Sequence, residues 1–218
     1  MKTNTLLLLI GSLMIPNAQA LEPKQQAGYA MKQTYLKYGS PEQAREALMP
    51  VAKARLSLCK MCHGPGGNSV KPRIPTLAGE RPRYLVKRWY EIRGGTHGES
   101  QTAQRIAKRL DEQEMVALAL YYSGIERRPV AYDRALAEKG KAGFKKICTE
   151  CHKSSGSGKP GIPMIARQQP DYLYRSLLQF RDNDNWRHGS KMKEVSQDVT
   201  PIDAKAVAHY AASLSGGQ

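Results

Sequence analysis

Apolar residues return every three or four positions along most of the chain, and no segment alternates with the period of two that marks a half-buried strand. Such spacing predicts helices over "EQAREALMPVAKARLSL" (42–58) and "ALAEKGKAGFKKI" (135–147). Two amphipathic helices follow from Pro82 and from Pro170, since proline suits a first helical turn. Two more are expected at "DEQEMVALALYYS" (111–123) and "TPIDAKAVAHYAASL" (200–214), the latter with Thr200 as N-cap and Asp203 three residues on. Gly- and Pro-rich loops, "GPGGNSVKPRIP" and "KSSGSGKPGIP", separate these elements.

The pattern occurs twice. "IPTLAGERPRYLVKRWYEIR" (74–93) overlays "IPMIARQQPDYLYRSLLQFR" (162–181) without a gap, and "ALALYYSGI" resembles "AVAHYAASL". A duplication of roughly 90 residues accounts for this, with the join in "GIERRPVAYDR", where Gly124 and Pro129 interrupt the helical pattern. The expected organisation is a leader over 1–20, an N-terminal extension over 21–48, and repeats over 49–126 and 127–218. The extension is longer than a small helical unit requires and predicts an added helix.

Residues 1–20 carry one cation, Lys2, then an apolar run from Leu6 to Ile15 and the small-residue end Ala18-Gln19-Ala20. This reads as a secretory signal cleaved before Leu21, because the apolar run is shorter than the ~20 residues that span a bilayer. Export to the periplasm is therefore expected, with no later segment apolar enough to cross a membrane. Lys and Arg number 34 against 19 Asp and Glu, a formal charge of +15, which loss of Lys2 reduces to +14. In an exported chain that excess argues against nucleic acid and for an acidic protein partner or peripheral contact with an anionic membrane.

All four cysteines fall in two CxxCH units, Cys59-Cys62-His63 and Cys148-Cys151-His152. Two thiols three positions apart can add to the two vinyl groups of haem while the adjacent imidazole binds iron, so two covalently bound haem c groups are expected, with His63 and His152 as proximal ligands. A four-cysteine zinc site calls for pairs about 15–20 residues apart, whereas 85 residues separate Cys62 from Cys148. The thioredoxin reading lacks its βαβ setting. Only 2 Phe and 2 Trp are available to core both halves, a deficit that an apolar prosthetic group would relieve.

Sixth ligands follow from position. Met192, 40 residues after His152 in the loop-like "DNDNWRHGSKM", is the expected thioether ligand, with His188 as competitor. In the first repeat the same place falls on Gln104 or Ala103, depending on the anchor, and Met115 lies inside a helix. His97, 34 residues after His63 in a Gly-flanked loop, is then the leading alternative to a vacant, Lys-bound or water-bound site. Tyr84 and Tyr172 begin equivalent helices and suit either haem contact or ordinary core packing; His209 reads as a partly exposed helix residue and Met164 as pocket lining.

The stretches "CHGPGGNS", "IPTLAGERPRYL", "RIAKRLDEQEMVALALYY", "YDRALAEKGKAGFKKICTECH" and "KMKEV" together resemble the di-haem class I cytochromes c. Both the cytochrome c-four type and the haem subunit of flavocytochrome c sulfide dehydrogenase are similar. The resemblance implies an all-α fold of two tandem class I cytochrome c domains related by pseudo-twofold symmetry, the haems close enough for internal electron transfer. It implies relay of electrons from a dehydrogenase or quinol-linked donor to a terminal acceptor, the partner being a flavoprotein subunit or terminal oxidase. A haem enzyme using a non-Met-ligated first haem on peroxide or a sulfur oxyanion is the alternative.

Overall fold

Proline and short polar side chains open most of the helices, as the sequence predicts. The computed structural model of the chain describes residues 21–95, 100–182 and 190–217, and within these the regular secondary structure is helical apart from a single bridge between Lys159 and Ile162. In the first half, α1 spans Pro23–Tyr38, α2 Pro41–His63, α3 Pro82–Gly94, α4 Gln101–Arg109 and α5 Glu112–Ser123. In the second, α6 spans Arg134–Ile147, α7 Thr149–His152, α8 Pro170–Asp182, α9 Lys191–Ser196 and α10 Pro201–Ser213.

Reciprocal caps are well formed at α2 and α5. The Ser40 hydroxyl accepts from the Gln43 N–H and the Gln43 side chain accepts from the Ser40 N–H (3.3 and 2.8 Å), and Asp111 and Glu114 do the same (2.7 and 2.9 Å). A cap of this kind contributes about 1 kcal/mol. At α10 the expected box is altered: the Thr200 oxygen accepts from the Asp203 N–H, but the Thr200 hydroxyl donates to the Asp203 carboxylate at 2.7 Å.

Each half is cored by its last helix. In α5 the run Met115–Leu120 is buried on every side, packing on α2 and α3; in α10 the buried Ala204, Ala206, Val207, Ala208, Ala211 and Ala212 serve α6 and α8. The α6–α10 crossing is the tighter one, because a Cβ on Gly140 would lie 2.2 Å from the Ala206 carbonyl oxygen. The extension forms the added helix expected of it: α1 lies along α3, touches α2 and α5, and buries Ala27, Ala30 and Met31. Two short helices, α4 and α9, are not among the elements the spacing predicts, and α9 begins inside the stretch that reads as loop-like.

The halves meet at the loops preceding α3 and α8. The Thr76 N–H donates to the Gln168 side-chain oxygen (2.7 Å), the Gln168 amide donates back to the Thr76 carbonyl (2.9 Å), and the Met164 N–H donates to Glu80 (2.8 Å). Glu80 and Gln168 occupy equivalent places in the duplication, as do Thr76 and Met164, so the contact is reciprocal in the way a twofold relation requires. Arg127, from the non-helical stretch between α5 and α6, is 2% exposed and inserts into this junction. Its guanidinium reaches Glu80 Oε2 at 3.2 Å and the carbonyls of Ala78, Met164 and Ala166 at 2.6, 2.7 and 3.2 Å. A buried charge is tolerated when paired and hydrogen-bonded in this way.

Candidate haem centres

The two CxxCH units sit in matching local structure. α2 runs through Cys59 and Cys62 to end at His63, whereas α6 stops at Ile147 and the short α7 carries Cys151 and His152. Beyond each His the chain turns back on itself. The Gly67 carbonyl accepts the N–H groups of Leu77 and Ala78 (2.7 and 3.2 Å), and the Gly156 carbonyl accepts those of Ile165 and Ala166 (2.8 and 3.1 Å). At Gly67 only glycine serves: φ is +76° and a Cβ would lie 2.7 Å from the Tyr122 ring.

That fold-back sets a proline carbonyl beside each imidazole. His63 Nδ1 lies 2.8 Å from the Pro75 oxygen and His152 Nδ1 3.0 Å from the Pro163 oxygen. A carbonyl can only accept, so each Nδ1 carries the proton and each Nε2 keeps its lone pair for a metal. Burial lowers the pKa of His152, favouring the neutral, metal-binding form. None of the four cysteines is paired in a disulfide, and burial raises the pKa of Cys59 and pushes that of Cys148 up to about 12. Among the described residues no three His, Cys, Asp or Glu side chains gather as a metal site.

In the second half Cys148, Cys151 and His152 line an apolar cavity of about 320 Å³, walled by Leu173, Leu177 and Phe180 of α8 and Val207, Ala208 and Ala211 of α10. Met192 lines the same cavity, held at the start of α9 where its N–H donates to the Ser190 hydroxyl at 3.3 Å. It is thus placed by a short helix rather than by the loop the sequence suggests. Neutral Nε2, two thiols, a thioether and apolar walls in one cavity fit a haem c with His/Met ligation.

The first half is built differently. Where the second cavity has Ser176, Leu177 and Ala211, the duplication places Arg88, Trp89 and Tyr122, and Tyr122 hydrogen-bonds Cys59. Ala103 and Gln104 lie on α4, and neither offers a thioether. Met115 is wholly buried in an unbroken α5 with its sulfur 3.7 Å from Arg93 Nη2. His97 and His188 lie outside the described residues. Met164 packs against Gly216 and gives its backbone to the junction; Tyr84 lines the second cavity; and His209 Nδ1 accepts the Asp133 N–H at 2.9 Å, closing the start of α6.

The chain matches known proteins in both sequence and fold. The cytochrome c family model matches residues 137–215. Cytochrome c4 of Thiocapsa roseopersicina is 31% identical over 181 residues, 75% of this chain and 90% of that protein. Cytochrome c4 of Azotobacter vinelandii is 28% identical over 182 residues, 74% and 87%. The crystal structure of reduced cytochrome c4 from Pseudomonas stutzeri superposes with a TM-score of 0.70 at 26% identity, covering 76% of this chain and 98% of that one. The chain belongs to the cytochrome c4 family. Its architecture is accordingly the two-domain class I cytochrome c fold, and its role is that of an electron carrier rather than an enzyme. Haem c, when bound, supplies a one-electron iron couple; the protein orients the imidazole, excludes water and sets the local charge. A carrier of this kind acts on a redox partner, and among the described residues no helix is long and apolar enough to cross a membrane.

Proposed function

We propose that this cytochrome c4 is an exported, periplasmic di-haem carrier relaying electrons from a dehydrogenase or quinol-linked donor to a terminal acceptor. One haem c is held by Cys59, Cys62 and His63, the other by Cys148, Cys151 and His152, in domains divided near residues 126 and 127. The observation that carries the reading is the repeated Nδ1-to-proline-carbonyl bond, 2.8 and 3.0 Å, which leaves an Nε2 lone pair next to each thiol pair. Met192 is the sixth ligand of the second haem. The first haem lacks a Met ligand; Ala103, Gln104 and the committed Met115 support this, and His97 is the proposed ligand there. An imidazole in place of a thioether lowers the first potential, so electrons run downhill from the first haem to the second.

The c4 relatives support a carrier, and its excess of cations favours an acidic redox partner. A flavoprotein complex is the more specialised form of the same activity, and co-purification with a flavin subunit identifies it. The central test is haem counting on exported protein by pyridine haemochrome. Two haems per chain are expected, falling to one in Cys59→Ala/Cys62→Ala and in Cys148→Ala/Cys151→Ala. The far-red sulfur-to-iron band of the oxidised protein should survive the first pair and vanish with the second. One haem in the wild type, or a far-red band lost with the first pair, refutes the assignment.

A further inference from the structure

The second cavity is not walled by the second half alone. Lys24 of α1 and Tyr84 and Lys87 of α3 line it together with Cys148, His152 and Met192. The second half's own walls are mainly apolar, with Ser176, Ser190 and Lys191 as polar members, and a haem carries two carboxylates that apolar walls cannot pair. Further polar groups come from the first half and from the extension. Lys87 is already committed, its ammonium 2.6 Å from Glu91. Lys24 is exposed, in the first turn of α1.

Lys24 adds nothing to its own helix. A cation in the first turn opposes the helix dipole, and the acidic group at this helix start is the N-cap Glu22 rather than a first-turn residue. It also breaks the symmetry of the molecule. Tyr84 and Lys87 have counterparts in Tyr172 and Arg175, but among the described residues the second half has no helix equivalent to α1. Lys24 is therefore a cation brought to one haem site with no duplicate bringing one to the other.

We infer that the N-terminal extension completes the second haem site through Lys24, a positioning residue whose ammonium faces the anionic edge of the haem and raises that haem's reduction potential above the first. Positive charge near the iron favours the reduced state, and at the rim of an apolar cavity it is screened less than on open surface. This inference rests on the reading that Cys148, Cys151 and His152 hold haem c.

The test is spectroelectrochemistry of the full-length, doubly loaded protein, with the second haem followed by its far-red band. Lys24→Glu should lower the second potential well beyond any change in the first, Lys24→Arg should keep it, and Lys24→Ala should fall between. Lys32→Glu, an exposed position two turns along α1 that faces Arg81 and Pro160 across a separate groove, is the control for bulk charge. Equal shifts from Lys24→Glu and Lys32→Glu, or equal shifts at both haems, overturn the inference. Failure of the underlying reading is separately visible, as a wild-type protein carrying no haem at Cys148 and Cys151.

Discussion

His209 shows what a single side chain does that its position in a pattern does not reveal. On sequence it is one polar residue on an apolar helix, matched to Leu120 in the other half. In the structure its Nδ1 accepts the Asp133 N–H, and Asp133 in turn caps α6 by accepting from the Leu136 N–H at 2.9 Å. Only neutral imidazole can accept, and burial lowers the His209 pKa in agreement. A histidine with a depressed folded pKa contributes stability that is complete above its ordinary value near 6.5 and is lost as pH falls toward the folded value. His209→Ala is expected to lower the melting temperature at pH 8 and to flatten the wild-type decline between pH 7 and 5; melting curves across that range measure both. By contrast the six residues proposed to hold the haems, Cys59, Cys62, His63, Cys148, Cys151 and His152, are proposed from sequence alone, because covalent attachment would demand those residue types at one fixed local spacing. A capping acceptor 76 residues from its donor demands neither.

At the scale of elements, the long helices are legible and the short ones are not. α2, α5, α6 and α10 each carry two or more apolar turns with a clear cap, whereas α9 has six residues, too few to show a period. The missed α9 matters, since it is what fixes Met192 at the cavity. Helix–helix distance is equally hidden in the sequence until partners are known. Gly140 and Gly143 read as mild defects in a helix, yet in the α6–α10 crossing they differ in kind. A Cβ at Gly140 meets the backbone of Ala206, at 2.2 Å, while one at Gly143 meets only the Val207 side chain, at 3.2 Å. Gly140→Ala should cost about 1–3 kcal/mol through forced separation of the helices. Gly143→Ala should be close to neutral, its helix-propensity gain of about 0.5–1 kcal/mol offsetting a small readjustment. Denaturant unfolding of the two variants compares them directly, and equal losses would mean that the crossing is not what limits residue 140.

At the scale of the whole molecule, the duplication shows in the junction between the halves, which is built from equivalent positions of the two repeats. The sequence alignment already pairs Glu80 with Gln168, but their reciprocal reach to Met164 and Thr76 becomes visible only when the halves are placed together. The pair is unequal: Gln168 is neutral, whereas Glu80 carries the charge that balances Arg127 in a junction where both side chains are at most 5% exposed. Glu80→Ala leaves that guanidinium buried without its counter-charge, and breaking a buried pair in this way costs about 3–5 kcal/mol. Glu80→Gln keeps the bond to the Met164 N–H and loses only the ionic part, so its cost should be smaller. Because Arg127 ties the loop before α3 to the loop before α8, the loss should fall on the coupling between halves rather than on either core. Calorimetry is expected to show one unfolding transition in the wild type and two in Glu80→Ala, with each half retaining its haem. A single transition merely shifted to lower temperature would show that the halves stay coupled through the remaining contacts, among them the Thr76–Gln168 exchange and the Arg81–Ser157 and Gln169–Ser69 bonds.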